Sequence, residues 1–173
     1  SSRAYNQAVG RTVLAGPMHS ADSVAMEWLT SPANKLTIAY SSNHGIYNGV
    51  HDEQRDALRR IEQQYGVALL YGTRRFGGYS HEVVLADAGW ANPDEANGFK
   101  YALWEKYNLD SARHSWIGEY NLYLALARPL MAALGVIGAE AGLAHGEKIL
   151  IGHEWLSIPT LLASQLDQPD QWR

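Results

Sequence analysis

Apolar residues along this chain follow two rhythms, one suited to strands and one to helices. TVLAGP at 12–17 is a short apolar run closed by Gly16 and Pro17, which predicts a strand and a turn. KLTIAYSSNHG at 35–45 repeats that design, with Leu36, Ile38 and Tyr40 ahead of small polar residues. In HDEQRDALRRIEQQYG at 51–66, Leu58, Ile61 and Tyr65 recur at helical spacing among charged and amide positions, and Gly66 is the stop signal. VALLYG at 67–72 is almost continuously apolar, the pattern of a strand covered on both faces. TRRFGGYS at 73–80 reads as a loop and EVVLADAG at 82–89 as a fourth strand. Pro93 opens a helix over 94–107 with Phe99, Leu103 and Trp104 on one side, and a long Leu- and Ala-rich helix follows over 118–138 with Pro129 as its kink or break. KILIGHE at 148–154 predicts the last strand and WLSIPTLLASQL a further helix. The first residues show no period, giving a ragged segment over 1–11 ahead of one domain over 12–173.

This alternation predicts an α/β fold, an open and mostly parallel Rossmann-like sheet with helices on both faces. The exception is 72–90, where two strands are separated only by a Gly-rich loop. A parallel pair needs a longer crossover, so a hairpin or a mixed-sheet excursion is the alternative there.

Length and charge narrow the classes. The 173 residues suffice for one domain with a core. With 14 Lys and Arg against 18 Asp and Glu the net charge is −4, which does not suit a nucleic-acid or anionic-membrane partner but leaves room for a locally positive pocket. The 10 Tyr and 6 Trp beside 2 Phe make the aromatic content amphipathic, ordinary core and interface material that can also serve sugar surfaces. Absence of cysteine excludes disulfides, a thiol nucleophile and Cys-based metal sites. The most apolar stretch, 122–144, is interrupted by Arg128, Pro129 and Glu140, and Ser1–Gly10 holds no apolar run, so no membrane span or leader is expected and the location is cytoplasmic.

Sites in open α/β sheets gather at the carboxyl ends of strands. Those ends would carry His19, His44, the basic pair Arg74 and Arg75, and His153 with Glu154 and Trp155. His153 leaves an apolar run directly and is suited to hydrogen-bonding a ligand hydroxyl or stabilising charge; a locally packed histidine is the alternative. Glu154 has the chemistry of an acid or base, but a carboxylate opening a helix is the more ordinary reading. Arg74 and Arg75 suit bidentate phosphate contacts or a solvated tip. FGG at 76–78 is not a phosphate-binding fingerprint. No histidine spacing marks a metal site, no G-x-S-x-G elbow occurs, and no cofactor is implied. Phe99, Tyr101, Trp104 and Tyr107, like Trp116, Tyr120 and Tyr123, follow core-like spacing, while HSW at 114–116 has the polarity of a groove margin.

The segment ILIGHEWLSIPTLLA, 149–163, resembles the strand–helix signature of the glycogen and starch synthases, glycosyltransferases of the two-domain GT-B architecture. His153, Glu154, Trp155 and Pro159 stand at its characteristic places, and the His-Glu-Trp-Leu form looks most like the eukaryotic-type enzymes and some bacterial relatives. FKYALWEKYNLDS at 99–111 and the helix over 119–137 are similar to the family's approach to that motif; AGP at 15–17 and YGTRRFGG at 71–78 are compatible with it. The resemblance implies part of an N-terminal GT-B domain. It implies transfer of glucose from a nucleotide-diphosphate-glucose donor to the non-reducing end of an α-1,4-glucan, with retention. His153 would contact the transferred glucose, and Glu154 and Trp155 would shape the strand exit.

The family's Lys- and Gly-bearing opening loop has no counterpart in SSRAYNQAVG, and its second, nucleotide-binding domain is not in this sequence. The isolated chain is therefore expected to be incomplete for transfer and to self-associate through exposed edges. Two other readings stay open: a non-catalytic carbohydrate-binding or scaffold domain, and a small α/β enzyme acting on a phosphorylated ligand through Arg74 and Arg75.

Overall fold

The computed structural model describes residues 3–20, 22–76, 78–139 and 147–173. Four strands form one mixed sheet in the order β1-β4-β3-β2: β1 (Val13–Pro17), β2 (Leu36–Ser41), β3 (Ala68–Phe76) and β4 (Tyr79–Asp87). The helices are α1 (Arg3–Ala8), α2 (Ser23–Thr30), α3 (Asp52–Tyr65), α4 (Pro93–Tyr107), α5 (Gly118–Ala139) and α6 (Ile158–Asp167). The class is α/β with flanking helices, but the sheet is not mostly parallel. Only β1 and β4 pair in parallel, while β4–β3 and β3–β2 are antiparallel. The physical reason lies at 76–79. Phe76 pairs with Tyr79 across two residues, a connection that permits only a hairpin. TRRF therefore extends β3 instead of forming a loop; Gly77 lies outside the described residues.

The two sheet faces carry separate cores. Tyr40, Leu69, Val84 and Ala86 face α3 and α5, whose Leu58, Ile61, Leu124, Leu126, Met131 and Ile137 complete the main core. Met18, Ala68 and Leu70 lie on the opposite face with Leu29, Leu36, Ile38 and Leu85. Ile38 and Tyr40 would share a face in a regular strand. A bulge at Ala39 separates them: Ile38 opposes Gly72, and Tyr40 opposes the next residue, Tyr71. Gly49 N–H donates to the bulged Ala39 carbonyl at 3.0 Å.

The helix α5 is unbroken through Pro129. By length and composition it is long and apolar enough to cross a membrane, which its interruptions argued against, yet half of its most apolar window is buried in the protein. Arg128 on α5 forms a two-pronged ion pair with Asp167 of α6, at 2.9 and 3.0 Å. Glu140 lies outside the described residues. In α4 only Phe99 and Leu103 are buried; Tyr101 and Trp104 are exposed, so the core-like spacing of its aromatics overstated their burial. KILIGHE, whose apolar run predicts the last strand, forms no strand of the sheet. Leu150 N–H donates to the Arg173 carbonyl at 2.7 Å, and Arg173 N–H to the Lys148 carbonyl at 2.9 Å. Leu150 packs on the main core beside Trp172, while Ile149 and Ile151 remain exposed.

Candidate functional site

The pairing pattern decides which sequence-predicted residues share an edge. β2 is antiparallel to β3 and β3 to β4, so β1, β2 and β4 all run the same way and exit at one edge. His19 follows β1 and His44 follows β2 at that edge. They leave from the two outermost strands, three inter-strand steps or roughly 14 Å apart. Arg74 and Arg75 end β3 and so lie at the opposite edge. Arg74 there donates to Asn34, to its carbonyl at 3.1 Å and its side-chain oxygen at 2.9 Å, and lies over the Phe76 ring. Arg75 is exposed. The basic pair therefore serves the hairpin end and does not meet the histidines. Among the described residues no three His, Asp or Glu side chains are placed to hold a metal.

Two carboxylates, Asp87 buried and Glu82 half-buried, fix the sheet margins. Asp87 ends β4 at 4% exposure and accepts hydrogen bonds from Ser20 N at 2.5 Å, from the Ser20 hydroxyl and from Gly89 N at 2.7 Å. Burial pushes its pKa up, but these bonds and the neighbouring His19 charge prevail and hold it below the ordinary value. Near the other edge, Glu82 accepts from Arg11 and from the Tyr71 hydroxyl at 2.5 Å, and Arg11 also donates to the Ile137 carbonyl at 3.2 Å. Burial raises Glu82 as well, and the bonds from Arg11 and Tyr71 with the Arg11 charge outweigh it, so its pKa is lowered. Tyr71 is pushed up to about 12, by burial first and by Glu82 second.

Both carboxylates bind protons less readily folded than unfolded. Their stabilisation is thus complete above the unfolded carboxylate range, about pH 4, and is lost as pH falls through the lower folded values. Thermal unfolding followed from pH 6 to pH 3 is expected to show a falling Tm below about pH 4. Glu82→Gln should weaken that dependence; an unchanged acid slope in this variant would contradict the assignment.

His153 lies in the stretch between α5 and α6. Lys148 reaches Gly138 near one end of α5, and Trp155 joins Tyr120 and Tyr123 near the other, so 148–155 runs antiparallel to α5. The Arg11–Ile137 bond places the C-terminal end of α5 beside the start of β1. The segment thus travels in the same sense as β1 and β4, toward the edge of His19 and His44, without joining their ladder. His153 is exposed and has no hydrogen-bond partner among the described residues. Glu154 has φ 64° and ψ 178°, a region otherwise reserved for glycine, at a cost of roughly 1–3 kcal/mol. Its carbonyl accepts from the Ser157 hydroxyl at 2.7 Å. At Gly152 an added Cβ would lie 2.6 Å from both Leu161 Cδ1 and Ser157 Oγ, so the absence of a side chain lets α6 close over the motif.

Trp155 opens onto a cleft of about 260 Å³ between α4, α6 and the start of α5. Leu103, Leu124 and Leu162 supply apolar wall. Ser111, His114, Tyr120 and Tyr123 converge on it. Ser111 is only 4% exposed, and its hydroxyl has no partner among the described residues. A mostly apolar cleft with a few unsatisfied hydroxyl and imidazole groups is suited to a small ligand that stacks and also hydrogen-bonds. Of the stretch 114–116, His114 lines this cleft, whereas Trp116 points to solvent at 82% exposure. Ser111 and Asp87 carried no spacing signal, because only tertiary contacts bury them. The chain matches no family in comparison with known protein families, and neither curated proteins nor solved structures give a match.

Proposed function

We propose that this chain carries part of the N-terminal domain of a retaining glucosyltransferase of the glycogen and starch synthase type, with a nucleotide-diphosphate-glucose donor, an α-1,4-glucan acceptor and a cytoplasmic setting. The observation that carries the reading is the Gly152-His153-Glu154-Trp155 motif, which ends an apolar run, takes a strained turn at Glu154 and enters a helix through Pro159. Strain of that kind persists where surrounding structure holds it, as it does here through Gly152 and Ser157. The turn leaves the His153 imidazole free to hydrogen-bond a glucose hydroxyl. Trp155 meanwhile forms a wall of the adjoining cleft. In this reading a second domain supplies most nucleotide contacts and closes over the donor, so transfer by these residues alone is not efficient. The exposed Leu14, Ile149 and Ile151 are surface that another chain or domain would cover.

Saturation-transfer NMR with ADP-glucose and UDP-glucose at millimolar concentration tests it. Transfer from the protein to the glucose ring protons of at least one donor is expected, and His153→Ala should remove it while Arg75→Ala leaves it intact. Absence of transfer to either donor, or a signal indifferent to His153→Ala, would sink the reading.

A further inference from the structure

A second, larger cleft lies at the β2–β3 side of the carboxyl edge, with a volume of about 470 Å³. Its most unusual component is Trp90, which is 71% exposed on a turn whose backbone is tied down. The turn bearing it is closed by Ala91 N–H to the Ala88 carbonyl at 3.0 Å. Asn92 ties the same turn to the end of α3, through its N–H to the Tyr65 carbonyl at 2.8 Å and its side-chain amide to the Gln64 carbonyl at 3.2 Å. Gly66 lies so close that a Cβ there would fall 2.4 Å from the Trp90 carbonyl. With the backbone tied, only the two side-chain torsions of the indole remain to be ordered when a ligand meets it.

The rest of the cleft limits what that ligand is. Glu62 faces it, but both carboxylate oxygens are occupied: Tyr40 donates to one at 2.7 Å, and Ser42 and Leu69 N donate to the other at 2.6 and 2.7 Å. The Arg59 guanidinium lies over the Tyr47 ring, 4.6 Å from its centroid. The amides of Asn43 and Gln63 line the cleft and have no partner among the described residues. The Arg59 cation and the Glu62 carboxylate both line the cleft and offset one another, and the C-terminal end of α3 adds partial negative charge, so the site favours a ligand without net charge. An exposed indole face with free neutral amides, each both donor and acceptor, matches a ring that is apolar on one face and hydroxylated at its rim.

We propose that the Trp90 cleft binds a neutral hexose oligosaccharide, with Trp90 as the stacking platform and Asn43 and Gln63 as hydroxyl partners. This site is distinct from the Trp155 cleft and does not depend on donor binding at His153.

Titration calorimetry of the whole chain with maltopentaose, cellopentaose and glucose 6-phosphate tests the proposal. At least one of the two neutral pentaoses is expected to bind, with Trp90→Ala weakening it by about tenfold or more. Trp90→Phe should retain part of the affinity and Asn43→Ala should reduce it. His153→Ala should leave it unchanged, which separates failure here from failure of the transferase reading. Because Trp90 is exposed, the unfolding midpoint of Trp90→Ala should remain that of the parent chain. No binding of either pentaose, equal binding by Trp90→Ala, or a preference for glucose 6-phosphate would overturn the proposal.

Discussion

Glu62→Ala is expected to cost about 3 kcal/mol, a large share of the stability of a domain this size. Glu62 reaches from α3 into the sheet and accepts three hydrogen bonds, from Tyr40 on β2, from Ser42 beyond it and from the Leu69 amide on β3. Tyr40 is 0% exposed and Leu69 1%, so in the intact protein two of these donors rely on Glu62 as their partner. The Tyr40 hydroxyl is already held far above its ordinary pKa, by burial first and then by Glu62, so it does not escape by ionising. Urea unfolding checks the value: the midpoint should fall with an unchanged slope, and Glu62→Gln, which keeps a carbonyl oxygen, should recover part of the loss. A change below about 0.5 kcal/mol, the level of an ordinary surface substitution, would contradict this role.

Gly66→Ala should be comparably harmful for a different reason. Gly66 caps α3 with φ 63°, and its N–H donates to the Glu62 carbonyl. Alanine pays about 1 kcal/mol for that conformation. Its Cβ must also displace the backbone of the next segment, which lies 2.4 Å away at Trp90 O and 2.8 Å away at Asn92 N. Overpacking against backbone adds about 1–3 kcal/mol. The expected total is about 3 kcal/mol by urea unfolding. A loss of less than about 1 kcal/mol would show that the α3 end and the Trp90 turn do not press together as described.

What the residues disclosed in advance depended on how local the cause was. Helix α3 was legible because Leu58 and Ile61 lie on its buried stripe and Gly66 terminates it. β1 and β2 were legible from apolar runs ending at small or polar residues. The opposed faces of Ile38 and Tyr40 were not, because a bulge depends on the partner strand. The sheet's direction turned on two residues between Phe76 and Tyr79, where a loop over 73–80 had been expected. KILIGHE carries the apolar run of a strand, but its neighbour on one side is Arg173 and its Ile149 and Ile151 face solvent. Residues of the candidate sites divide likewise. His153 and Trp155 stand out as a motif, whereas Ser111 and Trp90 gain interest only from burial without a partner and exposure on a fixed turn. His19 and His44 share the expected edge, while Arg74 and Arg75 lie at the other because β3 runs backward.

The glucosyltransferase reading is tested most directly by mapping the donor on the protein. Backbone amide shifts recorded during titration with ADP-glucose and UDP-glucose should be largest at Gly152, His153 and Trp155, with smaller changes near His19. Shifts concentrated at Arg74 and Arg75, or no shift at 152–155 at saturating donor, would contradict it.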